Sequence, residues 1–230
     1  IIEERGMNRI KEELLQNRGM LVTDFDGTLT LFGSSLHGAV HVLGETSGLA
    51  AGRDRLFQKM GREILHAAKK GQEKATLNKR AENWWKEQME LYVREGIGEE
   101  ILKKAAKLLP PRRETLELLE FCRKETLPVW IVSAGLGNVI RFWLEAQGIW
   151  ETGIQVLANE LYYAGENPVG YGEILTIWNK RDKFFAVAAP EEEQKLFFLG
   201  DKREDLRWRK NNEESYLIQE GEIVKIEEFA

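Results

Sequence analysis

The fold of this chain is decided by the stretch Met20-Leu21-Val22-Thr23-Asp24-Phe25-Asp26-Gly27-Thr28-Leu29-Thr30. Its first four residues are mostly aliphatic, and a short apolar segment that ends at a glycine turn is typical of a buried β-strand. Asp24 and Asp26 leave this strand two positions apart, so their side chains point the same way in an extended chain. We therefore expect two carboxylates at one edge of a sheet.

Two carboxylates that face the same way suit a particular kind of chemistry. A hard cation such as Mg²⁺ prefers oxygen ligands and would offset the repulsion between the two negative charges. A proton shared between the two carboxylates would reduce the same repulsion. The alternative is an ordinary hydrophilic turn, because Asp-Gly is common after strands. The motifs farther along the chain favour the chemical interpretation.

The composition is that of a globular protein. The chain has 230 residues, 43% of them hydrophobic, which is enough for one large α/β domain or for a domain with an inserted lobe. A net charge of −5 argues against a nucleic-acid partner, and no apolar segment approaches the ~18 residues of a membrane span. Cys122 is the only cysteine, and we expect it to pack in the core. A single cysteine cannot form a disulfide within the chain, so we predict a reducing compartment and a cytoplasmic protein.

Helical periodicity predicts an insertion after the first strand. Apolar residues recur at helical spacing in three segments between residues 56 and 109. Pro110-Pro111 ends this block, because proline cannot continue a helix. We therefore predict an all-helical cap at residues 33–110, inserted into a catalytic core made of residues 1–32 and 111–230.

Strands and helices alternate again after the insertion. The predicted buried strands are the apolar segments Val129–Ser133, Ile154–Asn159 and Lys195–Gly200. Leu161–Tyr163 and Ile174–Trp178 predict a β-hairpin around a turn-rich segment. This alternation predicts an α/β fold with a doubly wound parallel sheet, in which ligands bind at the carboxyl ends of the strands.

Polar residues follow these predicted strands. The acid pair follows the first strand, and Ser133-Ala134-Gly135 follows the next and opens a helix, where free backbone N–H groups favour an anion. Lys180 follows the hairpin, and Asp201 and Asp205 follow the last of the predicted strands. Two acid pairs, an anion site and a lysine are the parts that metal-assisted phosphoryl transfer requires.

The order of these motifs resembles that of the haloacid dehalogenase-like phosphatase superfamily. The matching pattern is Asp24-x-Asp26-x-Thr28, then Ser133, Lys180 and Gly200-Asp201-x-x-x-Asp205. A closer similarity is to the cytosolic type-III, pyrimidine-preferring 5′-nucleotidases, and its residues are Asp24–Thr30, Trp84-Trp85, Pro128–Gly137, Asn159 and Gly172–Lys180. The resemblance implies a Mg²⁺-dependent phosphomonoesterase with a helical cap. Its substrate would be a small phosphorylated metabolite, either a nucleoside 5′-monophosphate or, alternatively, phosphoserine or a sugar phosphate.

The resemblance also implies a role for each matched residue. The implied catalytic residues are Asp24 as the nucleophile that forms an aspartyl-phosphate, Asp26 as general acid and base, Ser133 as a phosphate holder, and Lys180 as the stabilising cation. The implied substrate- or phosphate-binding residues are Phe25, Ala134, Gly135 and Trp85. The implied Mg²⁺ ligands are Asp24, the backbone carbonyl of Asp26, Asp201 and, directly or through water, Asp205.

Several alternatives stay open in the sequence. Lys202 and Glu204 stand where the nucleotidases have serine and glycine, which leaves room for a phosphate-binding or regulatory protein that has lost turnover. Lys183 is an alternative to Lys180. Trp84 and Trp85 cannot face the same side of a helix, so either both pack in the cap or one of them lines the substrate slot.

Two other clusters are expected to carry no chemistry. His37 and His41 lie four residues apart and could chelate zinc, but no third ligand is evident, so we expect ordinary surface or hinge histidines. The basic cluster Arg207–Lys210 is expected to be a solvated helix face. The sequence leaves the oligomeric state open.

Overall fold

The structure is a computed structural model that describes residues 2–31, 35–46, 53–150, 153–202, 206, 213–219 and 222–226. The helices in these ranges are α1 (Ile2–Gln16), α2 (Leu36–Thr46), α3 (Arg53–Lys69), α4 (Lys74–Arg94), α5 (Glu99–Leu108), α6 (Arg113–Lys124), α7 (Gly137–Ala146) and α8 (Lys180–Ala188). The strands are β1 (Met20–Thr23), β2 (Val129–Leu136), β3 (Ile154–Asn159), β4 (Leu161–Ala164), β5 (Asn167–Tyr171), β6 (Leu196–Gly200), β7 (Glu213–Gln219) and β8 (Glu222–Ile226).

Six of these strands form one sheet in the order β3-β2-β1-β6-β7-β8. Every neighbouring pair is parallel except β7 and β8, which are antiparallel. β1 lies in the middle, where Leu21 pairs with Val129 of β2 on one side and with Phe197 of β6 on the other. The predicted α/β fold with its doubly wound, mostly parallel sheet is therefore confirmed.

The sheet is covered on both faces because side chains alternate along each strand. Leu21 of β1 belongs to a core cluster that includes Trp143 of α7, together with residues of α1 and α6. Its neighbour Val22 points the other way, into a second cluster that includes Phe184 of α8. Cys122 is fully buried in the first cluster, as expected from the sequence. Burial on both faces explains why the core strands are continuously apolar.

Helices α2 to α5 form an insertion between β1 and α6, and the periodicity predicted the last three of them. The chain enters and leaves this helical insertion through a short antiparallel pairing. The N–H of Leu31 donates to the carbonyl of Pro110 at 3.0 Å, and the N–H of Arg112 donates to the carbonyl of Leu29 at 2.8 Å. The two connections are thus fixed to each other beside the end of β1. The predicted boundary at residue 33 lies outside the described residues.

The helical insertion contains α2, which the sequence did not indicate. Its segment is rich in glycine and shows no clear helical stop signals, so propensity alone does not predict it. Two side chains fix the start of the helix: Oδ1 of Asp26 accepts the N–H of Leu36 at 3.1 Å, and Oγ of Ser35 accepts the N–H of Gly38 at 3.1 Å. These bonds satisfy backbone donors that a helix N-terminus leaves free.

The β-hairpin is present, but its second strand was predicted wrongly. β4 pairs with β5, and Leu161 lies opposite Tyr171. The predicted strand Ile174–Trp178 makes no ladder, because the side chain of Asn159 takes the backbone groups of Leu175. It accepts the N–H at 2.7 Å and donates to the carbonyl at 3.0 Å. A side-chain partner of this kind cannot be read from hydrophobic alternation.

Three further elements, α1, β7 and β8, have no clear signal in the sequence. Charged residues interrupt the apolar pattern in α1 and β8, and β7 begins with two glutamates. A tertiary network holds them together: Glu13 of α1 accepts hydrogen bonds from Tyr216 Oη at 2.7 Å and from Lys225 Nζ at 3.0 Å. Within the described ranges, no helix is both long and apolar enough to span a bilayer.

Candidate active site

The carboxyl end of β1 brings Asp24 beside a lysine from a distant segment. The N–H of Asp24 donates to the carbonyl of Leu199 in β6 at 3.0 Å, which fixes its backbone at the sheet edge. Nζ of Lys180, the first residue of α8, lies 3.5 Å from Oδ1 of Asp24. The Lys180 side chain is 3% exposed and that of Asp24 is 16% exposed, so water screens this ion pair weakly.

Asp26 is half-buried next to Asp24, and its pKa is raised to about 7. Burial is the largest cause, and the negative charge of Asp24 adds to it, while the hydrogen bond from the Leu36 N–H and the charge of Lys202 act in the opposite direction. A carboxyl group with a pKa near neutrality can both donate and accept a proton. This is the property that a general acid and base needs.

The turn after Asp26 holds the two carboxylates in place. Gly27 has a φ of +77°, and a Cβ at this position would lie 2.6 Å from Oδ2 of Asp201. Thr30 closes the turn, since its Oγ1 accepts the N–H of Gly27 at 3.1 Å. The left-handed backbone and the close approach of Asp201 explain why glycine occupies this position. The structure thus brings Asp201 against the same turn as the acid pair.

A buried arginine braces this turn from the side of the helical insertion. Arg112 is 6% exposed; its Nε donates to the carbonyl of Thr28 at 3.1 Å and its Nη2 to the carbonyl of Gly27 at 3.0 Å. The hydroxyl of Thr115 donates to the same Thr28 carbonyl at 3.2 Å. Sequence reasoning missed Arg112, and the one signal for it is a basic residue directly after Pro110-Pro111.

The segment Ser133–Gly135 lies close to the acid pair. A Cβ placed on Gly135 would lie 3.2 Å from Ser133 Oγ and 3.9 Å from Asp26 Oδ2. The N–H of Gly135 donates to Ser133 Oγ at 3.0 Å, so the hydroxyl proton of Ser133 is directed elsewhere. These residues lie inside β2, which extends to Leu136, and not after the strand as the sequence predicted. The pairing register shifts between Val132 and Leu136, which makes this part of the strand irregular.

A carboxylate of the protein itself lies beside Gly137, the first residue of α7, where we expected a bound anion. A Cβ on Gly137 would clash with Oε1 of Glu160. Glu160 also forms an ion pair with Arg141 of the same helix, with Nη1 at 2.9 Å from Oε1. Burial raises the pKa of Glu160, and the bonds to Arg141 oppose that rise. An anion at this helix end stays a prediction, and Ser133–Gly135 is the part of the segment near the carboxylates of the acid pair.

Asn159 connects this segment to the chain that leads to Lys180. Its Nδ2 donates to the carbonyl of Ala134 at 2.8 Å, and its amide also binds the backbone of Leu175. Asn159 is completely buried, so both contacts are shielded from water. One amide side chain therefore ties together two parts of the candidate site.

The alternative lysine lies in a different environment. Lys183 forms an ion pair with Glu173, whereas Lys180 faces Asp24. Lys202, the residue that departs from the nucleotidase pattern, is exposed, yet its charge lowers the pKa of Asp26. It therefore points outward and still acts on the site.

The carboxylate oxygens at this edge of the sheet are the kind of ligand that a hard cation prefers. The charges of Asp24 and Asp201 both raise the pKa of Asp26, which shows that like-charged oxygen donors are concentrated here. Within the described ranges, no three His, Cys, Asp or Glu side chains are already arranged around a common point as a metal site. Asp205 and the basic cluster Arg207–Lys210 lie outside the described residues.

The aromatic residues of the insertion form a buried group near the start of α2. Trp85 is 6% exposed, and its ring centroid lies 4.5 Å from that of His37 and 5.0 Å from that of Trp84. Nδ1 of His37 lies 2.9 Å from Oη of Tyr92, and Nε2 of His41 lies 2.9 Å from Nε2 of Gln88. Both histidines are buried, so the expectation of surface histidines was wrong, and the hinge alternative stays a prediction. Phe25 is fully buried as well, with its ring edge-on to Trp143.

The class of protein that this fold and site define is a hydrolase with an α/β fold and carboxylates at the end of its central strand. Residues 21–209 match the haloacid dehalogenase-like hydrolase family, and the chain belongs to this family. No curated protein matches the sequence.

Solved structures with a similar fold include two kinds of phosphatase. The structure of cytosolic 5′-nucleotidase IIIB bound to cytidine has a TM-score of 0.60 and 20% identity, over 86% of this chain and 71% of that one. A phospho-aspartyl intermediate analogue of phosphoserine phosphatase has a TM-score of 0.53 and 19% identity, over 81% and 79%. A substrate-bound phosphoserine phosphatase has a TM-score of 0.51 and 18% identity, over the same shares. The family match confirms the resemblance to the haloacid dehalogenase-like superfamily, and these structures show that the chain shares its fold with a 5′-nucleotidase and with phosphoserine phosphatases.

Proposed function

We propose that this protein is a phosphomonoesterase that hydrolyses a small phosphorylated metabolite through an aspartyl-phosphate on Asp24. The observation that carries the proposal is the Lys180–Asp24 pair at the end of β1, 3.5 Å apart and shielded from water. An amine in this position draws a phosphate dianion toward the carboxylate and stabilises the charge that develops on the transferring group. The contribution of such a group to the rate is about 10²–10³-fold.

The neighbouring carboxyl group supplies the proton. In this proposal, Asp26 donates its proton to the leaving oxygen while Asp24 attacks phosphorus, and then accepts a proton from the water that cleaves the aspartyl-phosphate. Its pKa of about 7 suits both steps. The N–H of Leu36, which donates to Oδ1 at 3.1 Å, orients the group.

The phosphate would be held by donors around the acid pair. We assign this role to the hydroxyl of Ser133 and to the backbone N–H groups of Phe25 and Ala134. Gly135 would contribute by leaving room beside Ser133 and Asp26, where a Cβ would lie 3.2 Å from Ser133 Oγ. The hydroxyl of Ser133 is free to donate, because it accepts its other hydrogen bond from the Gly135 N–H. Phe25 contributes through its backbone, since its side chain is buried against Trp143.

The residues proposed to hold Mg²⁺ are Asp24, the backbone carbonyl of Asp26, Asp201 and Asp205. When bound, this cation would offset the repulsion between the Asp24 carboxylate and a phosphate dianion. The concentration of acidic oxygen donors at Gly27 and Asp26 supports this assignment. We also infer a cytoplasmic location, which the single cysteine supports.

A nucleoside 5′-monophosphate is the first substrate that we propose. The ring of Trp85 lies next to that of His37, which is two positions after Ser35 at the start of α2. In this proposal the Trp85 ring stacks on the base of the nucleotide when the insertion opens. Phosphoserine is the second candidate, because phosphoserine phosphatases share the fold. A sugar phosphate is the third.

The test is hydrolysis of p-nitrophenyl phosphate with and without Mg²⁺, followed by a panel of nucleotides, phosphoserine and sugar phosphates. We expect Mg²⁺-dependent release of phosphate that Asp24→Asn abolishes. A wild-type protein that binds phosphate but releases none, and that behaves like Asp24→Asn, would instead support the phosphate-binding alternative. The exposed Lys202 beside the site is the residue that this alternative would implicate.

A further inference from the structure

Four polar side chains connect α4 of the helical insertion to the loop that precedes Lys180. Thr176 Oγ1 donates to Asn78 Oδ1 at 2.5 Å, and Asn78 Nδ2 donates to Glu82 Oε1 at 2.8 Å. Asn179 Nδ2 donates to the same Glu82 oxygen at 3.3 Å, and Asn179 Oδ1 accepts the Thr176 N–H at 2.8 Å. These four residues close a ring of hydrogen bonds, which we call the α4 ring.

The loop side of the α4 ring determines where α8 begins. Thr176 is completely buried, and its Oγ1 also accepts the N–H groups of Trp178 at 3.1 Å and Asn179 at 3.2 Å. The carbonyl of Thr176 accepts the N–H of Lys180 at 3.0 Å. The residue that contacts α4 is therefore the same residue that fixes the backbone of the lysine.

The rest of this loop is held from the opposite side. Asn159 binds both backbone groups of Leu175 and also contacts Ala134 in the candidate phosphate segment. Asn159 thus fixes the beginning of the loop, whereas Thr176 and Asn179 obtain side-chain partners from α4. The position of α8 relative to Asp24 depends on both anchors.

We propose that Asn78 and Glu82 are positioning residues for Lys180. Neither touches Asp24, and they act through Thr176 and Asn179 by holding the first turn of α8 where the amine lies beside the nucleophile. This inference rests on the proposed role of Lys180 in phosphoryl transfer. Helix α4 carries Trp85, which is proposed to contact the substrate. In this proposal α4 also sets the position of the Lys180 amine.

The variants that test this proposal are Glu82→Ala and Asn78→Ala, with Glu87→Ala as the control on an exposed part of the same helix. Alanine favours helix, so α4 itself should persist in all three. We expect both test variants to lower kcat by about 10- to 100-fold, because small displacements of catalytic groups are costly, while KM changes much less. Glu82→Gln should restore most of the activity, since an amide oxygen can accept the same two bonds. Unchanged kcat in both alanine variants would overturn the proposal.

A double variant separates positioning from a general structural effect. If Glu82 acts through Lys180, then Glu82→Ala should cause no further loss of kcat in a Lys180→Met background. If Glu82 acts independently, the two losses should multiply, and the proposed route through Lys180 would be wrong.

Hydrogen exchange gives a readout that needs no turnover. The amide of Lys180 should exchange at least about tenfold faster in Glu82→Ala than in the wild type, because its acceptor Thr176 is released, and Glu87→Ala should match the wild type. If the wild-type protein has no phosphatase activity, the proposed function is wrong. The exchange comparison would then still test whether Glu82 holds the backbone of Lys180. An active wild-type protein with unchanged exchange in Glu82→Ala would overturn the coupling and leave the proposed function intact.

Discussion

The side-chain nitrogen of Lys180 lies 3.5 Å from Oδ1 of Asp24, at the end of the central strand of the sheet. The two residues come from segments that are far apart in the chain and meet because β1 and α8 converge at one edge. The lysine is almost fully shielded from water, at 3% exposure. A buried amine without a negative partner would be costly, so each residue stabilises the charged form of the other.

Lys180→Met should lower kcat for phosphate ester hydrolysis by about 10²–10³-fold, since it removes a charge that stabilises the transition state. Lys183→Met is the matched control, because Lys183 lies three positions away and pairs with Glu173 instead. We expect this control to keep nearly all of the wild-type kcat. Steady-state kinetics of both variants measure the difference, and equal losses would show that the lysine assignment is wrong.

Gly27→Ala should lower both the stability of the protein and its affinity for Mg²⁺. The left-handed backbone of Gly27, with φ of +77°, costs an alanine about 1–2 kcal/mol. In addition, the new methyl group would displace the carboxylate of Asp201, which lies 2.6 Å from the position of that Cβ. We therefore expect a higher Mg²⁺ concentration for half-maximal activity.

Gly71→Ala separates these two effects. Gly71 has a φ of +80°, and a Cβ there would meet nothing within 4 Å. It should show the same backbone cost in denaturant unfolding and an unchanged Mg²⁺ titration. A shifted titration in Gly71→Ala, or an unshifted one in Gly27→Ala, would contradict the placement of Asp201.

Arg112→Met should lower the free energy of unfolding by about 1–3 kcal/mol, because the carbonyl of Gly27 loses its Arg112 donor and that of Thr28 keeps only the Thr115 hydroxyl. Arg113→Met is the control at the next position. The Arg113 side chain is 88% exposed and pairs with Glu117 on the surface, a contact worth about 0–1 kcal/mol. Chemical denaturation of both variants measures the contrast, and similar small losses would argue against the bracing role of Arg112.

Tyr216→Phe should produce a loss of stability that depends on pH. Burial tends to raise the pKa of Glu13, but hydrogen bonds from Tyr216, Lys225 and Arg9 outweigh it and lower the pKa from 4.5 to about 2. A carboxylate with a lowered pKa stabilises the fold above its unfolded value, and that stabilisation is lost as the pH falls toward about 2. The variant should therefore lose about 1–3 kcal/mol near neutral pH and progressively less below pH 4.5.

The control for this pH effect is Tyr163→Phe. Oη of Tyr163 donates to the carbonyl of Ile97 at 2.8 Å, and that acceptor does not titrate. Its loss of stability should stay constant over the same pH range in denaturant titrations. A constant loss in Tyr216→Phe as well would show that the charge of Glu13 is not what Tyr216 stabilises.

Much of the fold could be predicted because its signals are local. The continuous apolar segments at β1, β2 and β6 indicate strands that are buried on both faces, and Pro110-Pro111 marks the end of the helical insertion. The hairpin illustrates the limit: the apolar residues of Ile174–Trp178 suggested a strand, but a single buried amide, Asn159, takes the backbone groups of Leu175 that a strand would pair.

The linear sequence was enough to establish the fold class and the acid pair that follows β1, because hydrophobic periodicity and the spacing of Asp24 and Asp26 depend on neighbours in the chain. Which of those residues meet, and what surrounds them, became known only from the folded molecule. The bracing by Arg112, the carboxylate of Glu160 at the start of α7 and the α4 ring all join segments remote in sequence. Such contacts depend on how the elements pack together, and no local pattern encodes them.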